Sequence, residues 1–110
     1  MSPSARSAKR LRSFGFIVAF VEKIIHMPGA PFPKKKDAFG FGDLLISRPD
    51  WGVGLVQVTS RSNLNAREKK SRAIPELKVW LESGGRFILQ GWKKDKKSNF
   101  WQMTEREIML

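Results

Sequence analysis

Phe41-Gly42-Asp43-Leu44-Leu45-Ile46-Ser47 and Val53-Gly54-Leu55-Val56-Gln57-Val58-Thr59, separated by Arg48-Pro49-Asp50-Trp51-Gly52, decide the fold. Both runs are short and apolar, and the segment between them carries turn residues, so the pair predicts a β-hairpin. In such a hairpin the Asp43 carboxylate and the Gln57 side-chain oxygen converge at one end of the sheet. A carboxylate beside other oxygen donors suits a hard divalent cation. In a strongly basic chain, that combination points to a metal-dependent enzyme acting on a polyanion.

Upstream, Leu11, Phe14, Val18, Val21 and Ile25 lie three and four residues apart, which predicts a helix from about Ser4 to His26 that Met27-Pro28-Gly29 stops. Pro31 and Pro33 limit Ala30 to Lys36 to an extended lead-in or an edge strand. Downstream, Ser60 and Ser62 offer N-cap oxygens to a helix from Asn63 to Arg72. Pro75 either kinks that helix or opens a second one reaching Glu82, with Leu77, Trp80 and Leu81 facing inward. Ser83-Gly84-Gly85 is a stop, Arg86 to Trp92 reads as a strand, and the Lys93 to Asn99 loop leads to a short strand near Phe100 to Met103. Thr104 to Leu110 is expected as a short terminal helix. This order gives an α/β fold in a single small domain, residues 1–110, with a mixed central sheet flanked by helices. Residues 1–12 form a basic N-terminal arm or the first helical turns.

Composition narrows the function classes. At 41% hydrophobic residues, with eight Phe and four Trp, the chain has the makings of one packed core. The absence of cysteine excludes disulfides and thiolate metal sites and fits a reducing compartment. The single histidine, His26, counts against zinc catalysis; at the end of a predicted helix it has a structural role favoured by the helix dipole. Met1 to Arg12 is rich in Ser and Arg and free of acids, as transit peptides are, yet no cleavage site or secretory apolar core follows. The apolar stretch Phe14 to Val21 is far below membrane-spanning length, and no membrane partner is expected.

The formal net charge of +11, with a pI near 10.6, is the strongest compositional signal. The basic residues cluster at Arg6/Lys9/Arg10/Arg12, Lys34/Lys35/Lys36, Arg61/Arg67/Lys69/Lys70/Arg72 and Lys93/Lys94/Lys96/Lys97. Clusters of this kind form a footprint for an extended polyanion, with nucleic acid the leading partner; the plain alternative is a solvated, solubilising surface. Ser60-Arg61-Ser62-Asn63 at a helix start offers free N–H groups to a phosphate, assisted by Arg61 and Arg67, although capping explains the serines equally well. Trp92 beside Lys93 and Lys94 either stacks on a base or is buried at the end of a core strand, and Trp51 in the hairpin turn is the more exposed candidate. Asp37 has three readings: a further metal ligand, an ion-pair partner for the lysines before it, or a cap for the following turn, the last being favoured. Gly40 and Gly42 are turn and close-approach positions rather than a phosphate cradle.

Taken together, Asp37-Ala38-Phe39-Gly40-Phe41-Gly42-Asp43-Leu44-Leu45, Gln57-Val58-Thr59-Ser60 and Gly91-Trp92-Lys93-Lys94, with Glu22 on the preceding helix, resemble the PD-(D/E)XK nuclease superfamily. Over residues 15 to 94 the order is similar to that of a small phage and bacterial subgroup close to Holliday-junction-resolvase-like proteins. The resemblance implies a restriction-endonuclease-like αβββαβ core and an Mg²⁺- or Mn²⁺-dependent endodeoxyribonuclease. It implies a metal site formed by Asp43, Gln57, the Val58 carbonyl and, through water, Glu22, with Glu22, Asp43, Gln57 and Thr59 as the catalytic set. Glu22 also reads as a solvated helical acid paired with Lys23. Lys34, Lys35, Lys36, Arg61, Asn63, Arg67, Lys70, Lys93 and Lys94 would contact DNA. A homodimer in the cytoplasm of a bacterium or a phage-infected cell is implied as well.

Two departures from the family pattern matter. The third motif normally supplies an acid, a spacer and a lysine, where this chain has Gln57, Val58 and Thr59. Glutamine keeps a neutral oxygen ligand, whereas threonine loses the positive charge that offsets charge developing on the phosphate. Lys36, Lys69 or Lys70 are the expected substitutes. Two other readings stay open: a non-catalytic DNA-binding module on the same fold, and a basic structural or RNA-binding protein in which Asp43 and Glu22 cap or pair.

Overall fold

A computed structural model describes residues 1–110: an α/β domain with a mixed five-stranded sheet, a separate two-stranded hairpin and three helices. The predicted hairpin forms as β4 (Leu44–Arg48) and β5 (Gly52–Ser60), antiparallel with Leu44 opposite Val56. Helix α2 (Leu64–Arg72), entered through a 3₁₀ turn at Arg61–Asn63, and helix α3 (Pro75–Glu82) carry the chain over one face of the sheet to β6 (Arg86–Lys94), which runs parallel to β5. Pro75 opens α3 as its first residue, where its missing N–H costs nothing. The serines do not cap: neither helical segment has a side-chain cap, and the Ser60 and Ser62 hydroxyls instead lie 3.1 Å from each other.

Three expectations are corrected. The helix predicted to reach His26 is α1 (Pro3–Ser13) and stops thirteen residues earlier; of the two readings of residues 1–12, the helical one is the structure's. Gly15, at φ +89°, takes the left-handed conformation that lets the Gly15 N–H close on the Arg12 carbonyl and turns the chain out of the helix. Beyond it, Ile17 and Val18 enter β1 (Ile17–Phe20), which pairs with β4 at the edge of the sheet. Glu22 therefore lies on no helix. It sits between β1 and β2 (Lys23–Ile25), and β2 pairs with β3 (Lys34–Lys36) in the small hairpin. His26 follows β2 on an exposed segment, so no helix dipole acts on it. At the other terminus the predicted short strand and helix are one strand, β7 (Trp101–Ile108), paired along its whole length with β6. That long-range ladder stabilises the strand, where a seven-residue helix is marginal on its own.

The sheet order is β1-β4-β5-β6-β7, and a core lies on each face. Helices α2 and α3 cover Phe41, Leu55, Leu64, Leu77, Phe87, Leu89 and Ile108. On the opposite face α1 covers Leu44, Ile46, Val56 and Ile88 with its own Ala8 and Leu11, and is pinned where the buried Trp92 Nε1 donates to Ser7 Oγ at 2.8 Å. Trp92 is thus structural. Trp51 is half-buried as well, held edge-to-face by Phe16 and covered by the Arg86 guanidinium 3.9 Å from its ring. No helix is long and apolar enough to cross a membrane.

A candidate metal and phosphate site at one end of the sheet

Strand alternation sets Leu55, Gln57 and Thr59 of β5 on the α2/α3 face, and the register with β4 puts Asp43 directly across from Gln57. Asp43 lies one residue before β4 yet stays in the ladder: its N–H donates to Val56 O at 2.9 Å, and its own carbonyl accepts from Val21 N at 3.0 Å. Gly42 permits this placement, because a Cβ there would come within 2.8 Å of Leu55 Cδ2. The backbone can pass so close to the core only without a side chain.

The β2–β3 hairpin folds back and brings a third acid to this point. Carboxylate oxygens of Glu22, Asp37 and Asp43 all lie within 4.8 Å of one another. Asp37 is therefore a member of the cluster, and its carboxylate accepts from Gln57 Nε2 at 3.3 Å rather than capping the turn that follows it. With the amide nitrogen so engaged, Gln57 Oε1 is the atom left to act as a ligand. The Val58 N–H donates to Asp43 Oδ2 at 2.8 Å, and Val58 lines the same cavity as the acids.

Burial dominates the electrostatics of Asp43, which is 7% exposed. Desolvation pushes its pKa from 3.8 up to about 7, the Val58 N–H pulls it down in part, and Asp37 and Glu22 raise it further. Three carboxylates this close cannot all stay ionised without a compensating cation. An all-oxygen donor set, with one carboxylate driven to hold a proton near neutrality, fits a hard divalent ion such as Mg²⁺ or Mn²⁺.

The cluster opens into a cavity of about 410 Å³, rimmed by Ser2 and Ser4 at the start of α1, Lys35 of β3 and Arg67 of α2. Of the residues expected to contact DNA, these two basic side chains line the cavity of the acids. Lys34 and Lys36, one position either side of Lys35, point to the other face of the hairpin. Arg61, half-buried, shares a second cavity with Ser60, Ser62, Trp92 and Lys93. Asn63, Lys70 and Lys94 are exposed and outside both. Lys36, Lys69 and Lys70, expected as stand-ins for the motif lysine, do not line the acid cavity. Thr59, on the same face as Gln57, is 8% exposed and does not line it either.

The chain matches no family model, no curated protein and no solved structure.

Proposed function

We propose that the protein is a metal-dependent DNA endonuclease that hydrolyses phosphodiester bonds in branched or otherwise structured DNA. The observation that carries this reading is the convergence of Glu22, Asp37, Asp43 and Gln57 at an open cavity flanked by Lys35 and Arg67, on a chain of net charge +11. The element order is in keeping with it: a helix, antiparallel strands β1, β4 and β5 with the β2–β3 hairpin inserted between the first two, a helical crossover and the parallel strand β6, against the expected αβββαβ order. A homodimer fits the uncharged edge strand β1, which exposes Ile17 and Phe20.

Asp43, Asp37 and Glu22 would hold the ion, with Gln57 Oε1 as neutral donor. Bound there, Mg²⁺ or Mn²⁺ supplies Lewis acidity toward the phosphate and lowers the pKa of a water. Lys35 and Arg67 offset the charge that builds on the phosphate, the work the usual motif lysine would do. Thr59 has no part in this scheme, and Val58 acts by fixing Asp43 through its N–H.

The test incubates the chain and Asp43→Ala with linear, single-stranded, supercoiled and four-way-junction DNA in EDTA, Mg²⁺ or Mn²⁺ at low salt. Cleavage by the parent, only with metal and lost by roughly a thousandfold in the variant while binding persists, is the expected result. Binding that ignores metal, with no cleavage of any substrate, would replace the nuclease by a DNA-binding module.

A further inference from the structure

The turn joining β6 to β7, residues Asp95 to Phe100, carries a hydrogen-bond set that its exposure does not require. Asp95 Oδ1 accepts from Lys97 N at 3.1 Å, Asp95 Oδ2 from Ser98 Oγ at 2.8 Å, and the Asp95 carbonyl from Asn99 N at 2.8 Å. The Asp95 N–H closes the turn on Phe100 O at 2.8 Å, and Asn99 sits at φ +64°. One acid thus organises a tip on which Lys93, Lys94, Lys96 and Lys97 stand exposed and none forms an ion pair. Among them Phe100 is 74% exposed. Its neighbour Trp101 is held from below by Arg6, whose guanidinium lies 3.9 Å from the indole and 5.5 Å from Trp92.

The register places this tip relative to the acids. Gln57 pairs with Leu89, Thr59 with Gly91 and Lys94 with Trp101, so the tip and the acid cluster share one end of the sheet. From Leu89 to Lys94, five residues at about 3.3 Å each carry the hairpin roughly 17 Å beyond the Gln57 row. Arg67 at the acid cavity, then Arg61 with Lys93 at the next one, step from the acids toward the tip.

We propose that this hairpin tip is a preorganised wedge for nucleic acid containing unpaired bases, with Phe100 stacking on a base and the lysines holding the flanking phosphates. The inference rests on the reading of the chain as a DNA enzyme and adds the element that selects the substrate. Charge complementarity names the occupant: exposed lysines suit a phosphate backbone, and a bare aromatic ring suits the π-face of any base. The built turn matters because a backbone already folded at the tip loses little freedom on binding.

Fluorescence anisotropy in EDTA, where no cleavage occurs, tests the wedge with the full chain and two probes: a blunt duplex, and the same duplex with a single-stranded tail carrying 2-aminopurine. Phe100→Ala should weaken binding to the tailed probe roughly tenfold and change the blunt duplex by less than about twofold, while Phe100→Trp keeps the parent's affinity and its 2-aminopurine quenching. Asp95→Ala is the sharper variant. It raises the local positive charge, so a merely basic surface would bind tighter, whereas a wedge that loses its framework should bind the tailed probe about fivefold more weakly. Parent-like affinity of Phe100→Ala for both probes, or tighter binding by Asp95→Ala, overturns the proposal. Either result leaves the Asp43→Ala cleavage comparison untouched, and loss of that comparison leaves the EDTA measurements standing.

Discussion

At the end of the sheet where β6 begins, the acids are paired with arginine: Arg86 Nε lies 2.9 Å from Glu107 and Arg48 Nε 2.6 Å from Asp50, beside a cavity of about 320 Å³ under α1. At the end where β4 begins, Glu22, Asp37 and Asp43 crowd together and none forms an ion pair, although Lys35 and Arg67 line the same cavity. The chain carries 21 basic and 10 acidic residues, so cations are not scarce. The first end spends its charges on itself and is a structural clasp. The second keeps three carboxylates without an ion pair, with the Asp43 pKa pushed up to about 7 by burial, an arrangement that suits the proposed cation.

The largest effect should come from titrating the second end. Asp43 has its pKa raised from 3.8 to about 7 by folding, so between these values the folded state binds more protons than the unfolded one. Stability must then fall as pH rises from about 4 to 7, by a few kcal/mol, because ionising the buried acid is opposed. In EDTA the melting temperature should decline across that window in the parent and stay level in Asp43→Asn. Added Mn²⁺ should raise the parent's melting temperature at pH 8 and do little at pH 5, where protons compete for the carboxylates. An Asn variant that melts lower than the parent at pH 8 without metal would break the comparison, because the acids would then be stabilising the fold.

Glu107→Gln sharpens the comparison from the other side. The Arg86–Glu107 pair is about a third exposed on each partner, intermediate between a surface bridge and a buried one. Leaving the half-buried guanidinium without its anion should cost about 1–2 kcal/mol, read as a lower urea midpoint, and the metal-induced shift should be unchanged. A loss of metal response in this variant would mean that the two ends are coupled through the sheet.

What the sequence reveals and hides divides along the same lines. The β4–β5 hairpin and the α2–α3 crossover were legible because apolar runs, Pro75 and the turn residues act within a few positions of themselves. Asp43 opposite Gln57 followed from that hairpin alone. The span from Phe14 to His26 misled because Leu11, Phe14, Val18, Val21 and Ile25 fall at helical spacing by coincidence, while Gly15, the one local stop signal, outweighs them. The sequence Trp101 to Ile108 is mostly polar, and only its ladder with β6 makes it a strand. Asp37 reaches the cluster through the fold-back of the β2–β3 hairpin, a long-range event that no spacing reports, and the same fold-back chooses Lys35 from three consecutive lysines.

That choice yields the smallest and most specific expectation. If Lys35 faces the acids and Lys36 faces away, Lys35→Ala and Lys36→Ala remove the same charge from adjacent positions on opposite faces of β3. Lys36→Ala should change neither metal binding nor cleavage by more than about twofold, the size of an exposed charge screened by salt. Lys35→Ala should move them in opposite directions. Metal affinity should rise about threefold, because a competing positive charge leaves the neighbourhood of the carboxylates, while cleavage at saturating metal falls about tenfold, because the phosphate loses a counter-charge. Isothermal titration with Mn²⁺ and single-turnover cleavage read the two separately. A fall in both would make Lys35 a structural support of the hairpin that carries Asp37, and a fall only in Lys36→Ala would mean that β3 presents its opposite face to the acids.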